Sequence, residues 1–144
     1  DPDVDDAFDV DEAGPGSILG RVANLTVVNN FDEGLDFDEE NEGGADLDIV
    51  NVYSENNEDE GVKVSEEDDG SNVIRMRKVI TDGDLEFEEE DGGIADITIN
   101  GSFVGDDMQI EADDGDPNTI DGYYKERGTT VVDDLDFEGN IVIL

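Results

Sequence analysis

The sequence predicts an all-β fold: an antiparallel β-sandwich or barrel of about ten short strands, with almost no helix and an extended N-terminal arm. Three observations carry this. Apolar residues alternate with acids in a phrase written three times, Leu35-Asp36-Phe37-Asp38, Leu85-Glu86-Phe87-Glu88 and Leu135-Asp136-Phe137-Glu138, the leucines falling 50 residues apart. Such alternation buries one face of a strand and leaves the other in water. Turn-forming dipeptides, Asp69-Gly70, Asp82-Gly83 and Asn100-Gly101, separate the runs, and Asn-Gly supplies the two positive-φ residues of a type I′ hairpin turn. No window places apolar residues at helical spacing between caps.

In chain order, residues 1–17 read as an acidic arm ending in a Gly-Pro-Gly hinge, and 18–144 as a single domain. The arm carries Val4, Phe8 and Val10 at even positions among aspartates, the pattern of a donor strand for a neighbouring sheet. Ile18 to Val28 begins the core. Asn29-Asn30 and Glu33-Gly34 turn the chain into the first phrase. Ala45 to Tyr53 is the next strand, Ser54 to Glu60 an acidic Asn-rich loop, and Gly61 to Val64 a short strand. Asn72 to Ile80 alternates Ile74, Met76 and Ile80 with Arg75 and Arg77. Ile94 to Val104 reads as a hairpin about Asn100-Gly101, Met108 to Ala112 as a strand and Asp113 to Gly122 as a long acidic loop. Thr129 to Val132, the third phrase and Ile141 to Leu144 close the domain. The first two phrases run on in similar words, but the third is cut short and the intervening segments differ. A sandwich is therefore expected in preference to a solenoid of repeats.

The charge sets the habitat. Of 144 residues 44 are acidic and 7 basic, for a net charge of −37 with 35% hydrophobic residues. That balance ordinarily means disorder, yet these acids are interleaved with Val, Ile, Leu and Phe at period two. A halophile's surface accounts for both facts, because in molar salt the Debye length falls to about 3 Å and crowded carboxylates repel little. Folding is expected to require high salt. The chain has no Cys, His or Trp, which excludes a disulfide framework and Cys or His metal sites. No apolar run is long enough for a membrane span, and the acidic surface would repel nucleic acid. The opening Asp1, without an initiator Met, suits removal of a signal peptide and a trimmed chain equally. Two sequons, at Asn24 and Asn100, are glycosylation candidates and agree with an extracellular or cell-surface location.

The site inventory is thin. Among 44 acids, carboxylate pairs arise by chance, aromatics are 6%, and no catalytic residue stands out; a non-enzymatic chain is expected. Hard cations such as Ca²⁺ or Mg²⁺ would suit Asp114, Asp116 and Asn118, with Asp113 and Asp121 in reach. Thr119 and Lys125 stand where an EF-hand needs Gly and Glu, so the expected ligation is a looser loop. Asp82, Asp84, Asp106 and Asp107 are weaker candidates. Five of the seven bases fall in two clusters, Arg75, Arg77 and Lys78, then Lys125 and Arg127; these are expected to meet acids, inside the fold or on a neighbouring copy. Ile141, Val142, Ile143 and Leu144 form a terminal strand apolar on both faces, which needs covering. The function this implies is a structural subunit of a halophilic extracellular assembly, a filament or sheath joined to copies of itself by strand addition. The alternatives are a virion protein of a halophilic archaeal virus, as tail tube or capsid decoration, and a monomeric adhesin or ligand-binding module.

Overall fold

The computed structural model describes residues 6–68, 70–90, 92–112, 118–133 and 137–144. Among them are β1 (Asp9–Glu12), β2 (Ile18–Ala23), β3 (Thr26–Val28), β4 (Asp36–Glu40), β5 (Ala45–Glu55), β6 (Val62–Glu67) and β7 (Asn72–Thr81). The series continues with β8 (Leu85–Glu89), β9 (Ala95–Val104), β10 (Met108–Ala112), β11 (Asn118–Glu126), β12 (Thr130–Asp133) and β13 (Phe137–Ile143). One sheet runs β1-β4-β6-β8-β10-β12 and the other β13-β11-β9-β7-β5-β2, with β3 also on β5. Every pairing is parallel. The chain thus winds as a β-solenoid of about five turns, each coil contributing a strand to one sheet, turning a corner, and contributing the next strand to the other.

This corrects the expected antiparallel sandwich or barrel. Alternation of apolar and acidic residues describes one strand and its two faces; it is the same whether the neighbour runs parallel or antiparallel. The turn dipeptides misled for a related reason. Asn100-Gly101 lies inside β9, where Gly101 has φ 66°. It heads no hairpin but bends the strand at a position that recurs in the three preceding coils as Asn24 (φ 58°), Asn51 (φ 54°) and Lys78 (φ 56°), while β11 skips it with a register shift between Tyr123 and Tyr124. Asn is among the few side-chain-bearing residues that enter this left-handed region readily. The extended arm is corrected too: Val10 pairs with Phe37 as β1 lies parallel to β4 of the same chain, and 13–16 form the first corner.

Pairing partners give the coil length. Ile18 meets Ala45 and Ala45 meets Asn72, steps of 27 residues. Asn72 then meets Ala95 and Asp96 meets Thr119, steps of 23. The difference of four residues is a corner three residues shorter, 82–84 between β7 and β8 against 56–61 between β5 and β6, and a β7 one residue shorter than β5. The 50-residue spacing of the first two phrases is therefore one long coil plus one short coil, with Val62 between Leu35 and Leu85. The third phrase is no further copy: Phe137 starts β13, in the other sheet, opposite Asn118, while Leu135 lies outside the described residues.

Stacking converts the alternation into columns. Leu35, Val62, Leu85 and Met108 lie in line, as do Phe37, Val64, Phe87 and Ile110 in the same sheet; Leu47, Ile74, Ile97 and Ile120 answer them from the facing sheet. All are buried. Phe8 reaches this core from ahead of β1, its ring 5.6 Å from that of Phe37. Parallel sheets normally bury both faces under helices; here one face of each is enough, because the two sheets cover each other and the outer faces carry acids.

Candidate functional site

Three features of the solenoid bear on function: charged outer columns, an acidic column inside, and the two ends. On the outside, stacking sets residues of successive coils side by side. Arg75 Nη1 lies 2.5 Å from Asp46 Oδ1 and Arg77 Nη2 lies 2.7 Å from Asp48 Oδ1, each across one coil, and Arg21 Nε reaches Asp48 from the other side at 3.3 Å. Arg75 is pushed further up in pKa by its hydrogen bond and charge contact with Asp46. The first cluster of bases thus serves the chain's own coils. Lys78 occupies the left-handed corner, and the Arg127 guanidinium lies 5.3 Å from the centre of the Phe103 ring. On the other sheet Lys63 stands among Asp36, Asp38, Glu86 and Glu88, with Nζ 3.9 Å from Glu88 Oε2. Burial works against its charge, but those four carboxylates outweigh it and raise its pKa.

The inner acids escaped sequence reasoning. Glu39, Glu66 and Glu89 occupy inward positions at the ends of β4, β6 and β8 and are no more than 1% exposed. Each precedes a glycine by four residues, as does Glu12: Gly16, Gly43, Gly70 and Gly93. The carboxylate turns into the corner and meets that glycine. Gly70 N–H donates to Glu66 Oε1 at 2.9 Å, and Gly14 and Gly16 N–H both donate to Glu12 Oε2 at 3.2 Å. A Cβ at Gly43 or Gly93 would collide with Glu39 Oε1 or Glu89 Oε1. Both oxygens of Glu39 and Oε2 of Glu66 are shut from water with no donor. Burial foremost raises the Glu66 carboxyl to about 8, with Glu39 and Glu89 adding to it, and raises Glu39 likewise. Stacked carboxylates only accept, so a proton held between neighbours is what lets them bond. The recurrence of Glu followed by Gly four residues on was the signal available in the sequence.

Corner polar groups are used in the same inter-coil manner. Asn51 Nδ2 donates to Asn24 Oδ1 at 2.8 Å and Asn56 Nδ2 to Asn29 Oδ1 at 2.7 Å. The weaker metal candidates cap corners: Asp82 Oδ1 accepts from Asn56 N–H, Asp84 Oδ1 from Asp107 N–H and Asp107 Oδ1 from Thr129 N–H. Of the predicted calcium loop, Asp114 and Asp116 lie outside the described residues. Asn118 is buried, its Oδ1 accepting from Ala95 N–H at 2.9 Å, whereas Asp121 is exposed and accepts from Asn140 N–H. Of the sequons, Asn24 is exposed but bound into the Asn corner, and Asn100 is half-buried beside Arg77.

Among the predicted assembly contacts, Val4 lies outside the described residues, while Phe8 and Val10 pack on the chain's own core. Ile141 also packs inward, but Val142, Ile143 and Leu144 are exposed, with Val131 and Val132 of β12 beside them at the same end. A surface groove of about 420 Å³ follows the bend lined by Asn24, Asn51, Tyr53, Lys78 and Gly101, with no carboxylate among its lining residues. No helix is long and apolar enough to cross a membrane among the described residues. Comparison with protein-family models, curated proteins and solved structures returns no match.

Proposed function

We propose that the chain is a non-catalytic structural β-solenoid of a halophilic extracellular assembly, whose copies stack end on end. The observation that carries this is the exposed coil of β12 and β13. β12 and β13 are the outer strands of their sheets, and Val131, Val132, Val142, Ile143 and Leu144 are each at least 40% exposed there. An apolar strand with an open edge is a template for another strand. The occupant that fits is the first coil of a second copy. There β1 and β2 are the opposite outer strands, so stacking extends both sheets in the direction in which they already run. Such a contact joins unlike surfaces, and repeated it builds a fibre rather than a closed pair. This is strand addition by whole coils, not by a loose arm.

Sedimentation of the chain in molar KCl, across a range of concentrations, tests the reading. Wild type is expected to grow in mass with concentration, and Ile143→Lys with Val142→Lys to stay monomeric while keeping its β circular dichroism. A wild-type chain that remains monomeric at high concentration overturns the proposal.

A further inference from the structure

The first two coils gather carboxyl groups from two segments, 6–9 and 32–36, at one end of the molecule. Carboxylate oxygens of Asp6, Asp9 and Asp36 lie within 4.8 Å of one another, and so do those of Asp6, Asp32 and Glu33. The backbone fixes this meeting. β1 lies beside β4 with Asp9 opposite Asp36, and Asp36 N–H donates to Phe8 O at 2.8 Å. Ala7 N–H donates to Glu33 O, and Glu33 N–H donates to Asp6 Oδ1 at 3.1 Å, tying Asp6 to the corner before β4.

Asp36 supplies an independent observation. It sits on the outward side of β4 yet is only 9% exposed, and its Oδ1 is closed to solvent without any hydrogen-bond donor. A buried carboxylate oxygen with no partner is costly. Lys63 is the nearest base in the column, but its ammonium lies against Glu88. Burial, then Asp38, pushes the Asp36 carboxyl up to about 7 against the pull of Lys63. Burial and contact with Asp6 push Glu33 to about 9.

We propose that Asp6, Asp9 and Asp36 bind a hard divalent cation of the calcium type, with Asp32 and Glu33 beside Asp6 neutralised by the same charge. Oxygen-only donors suit Ca²⁺ or Mg²⁺. Carboxylates from two segments distant in sequence make an irregular shell that calcium's six to eight ligands tolerate and magnesium's octahedron does not. The bound ion fastens the segment around β1 to the second coil. This is a different place from Asn118 and Asp121, and it does not depend on self-association.

The test is calorimetric titration of CaCl₂, and separately MgCl₂, into the chelator-treated full chain in molar KCl. Asp9→Asn and Asp36→Asn are compared with Glu111→Gln, which removes an exposed acid elsewhere. One saturable calcium site is expected above the diffuse binding of the acidic surface. It should weaken at least tenfold in Asp9→Asn and Asp36→Asn and persist in Glu111→Gln. Asp9 is exposed, so its substitution reads the site even if Asp36→Asn fails to fold. Calcium should also slow proteolysis before residue 12 in wild type and not in Asp9→Asn. Absence of a saturable site, equal binding by wild type and Asp9→Asn, or magnesium binding as tightly as calcium would overturn the assignment.

Discussion

Gly122 shows how little room the stacking leaves at a single residue. Its φ is 129°, and a Cβ there would run into the carbonyl oxygen of Ile99, its partner one coil back; Gly139 repeats the relation with Ile120. A side chain would therefore have to distort the backbone of two coils at once. Gly122→Ala is expected to lower stability by about 2–4 kcal/mol, a cost typical of backbone strain combined with a clash. Urea unfolding in molar KCl measures it. The glycine was visible in the sequence, but only as a member of an acidic loop. What makes it indispensable is the neighbouring coil, 23 residues earlier.

At the scale of the element, the unit is a strand with the corner that follows it. Leu35-x-Phe37-x-Glu39 is answered by Val62-x-Val64-x-Glu66, Leu85-x-Phe87-x-Glu89 and Met108-x-Ile110-x-Ala112. Two apolar residues fill the core and a glutamate closes onto the corner glycine, except in the coil that ends with Ala112. This closing acid makes stability depend on pH. Folding raises the Glu66 carboxyl from 4.5 to about 8, so the native protein holds a proton that the unfolded chain releases above pH 4.5. The contribution is full below that pH and lost as pH rises through about 8. Glu66→Gln should leave stability near pH 4 almost unchanged and raise it at pH 9 by about 2 kcal/mol, the scale of relieving a buried unpaired acceptor. Parallel urea titrations of the two proteins at pH 4 and 9 check this; an equal fall in both would place the pH dependence elsewhere.

At the scale of the whole molecule, like charges face one another along the solenoid. Asp9, Asp36, Lys63 and Glu86 form one outer column, and Asp11, Asp38, Ser65 and Glu88 the next. Coils about 4.8 Å apart put these carboxylates far inside the Debye length of dilute buffer, about 30 Å at 0.01 M. Arg21, Arg75, Arg77 and Lys63 relieve part of the repulsion, but the net charge is −37. Dialysis from molar salt to tens of millimolar is expected to abolish the β circular dichroism, and restoring salt to recover it. A fold that persists in dilute buffer would remove the case for a halophilic habitat.

By itself the sequence determined that the chain is β and that its outer surface is acidic, and alternation named the inward residues only as far as the left-handed bends. Past Asn51 and Lys78 the phase slips, burying Val52 and Val79 and exposing Tyr53 and Ile80, which alternation alone places inside. It also carried, unread, the recurrence of Glu39, Glu66 and Glu89 with their glycines. Only the tertiary structure decided that neighbours run parallel and that 27-residue coils give way to 23-residue ones. It alone decided which acids share an interior and which meet at Asp36. Those are pairings between distant segments, and strand alternation reads the same whichever strand lies alongside. Coils of unequal length, filled by Leu, Val or Met at equivalent places, keep the shape of a repeat while erasing its spelling.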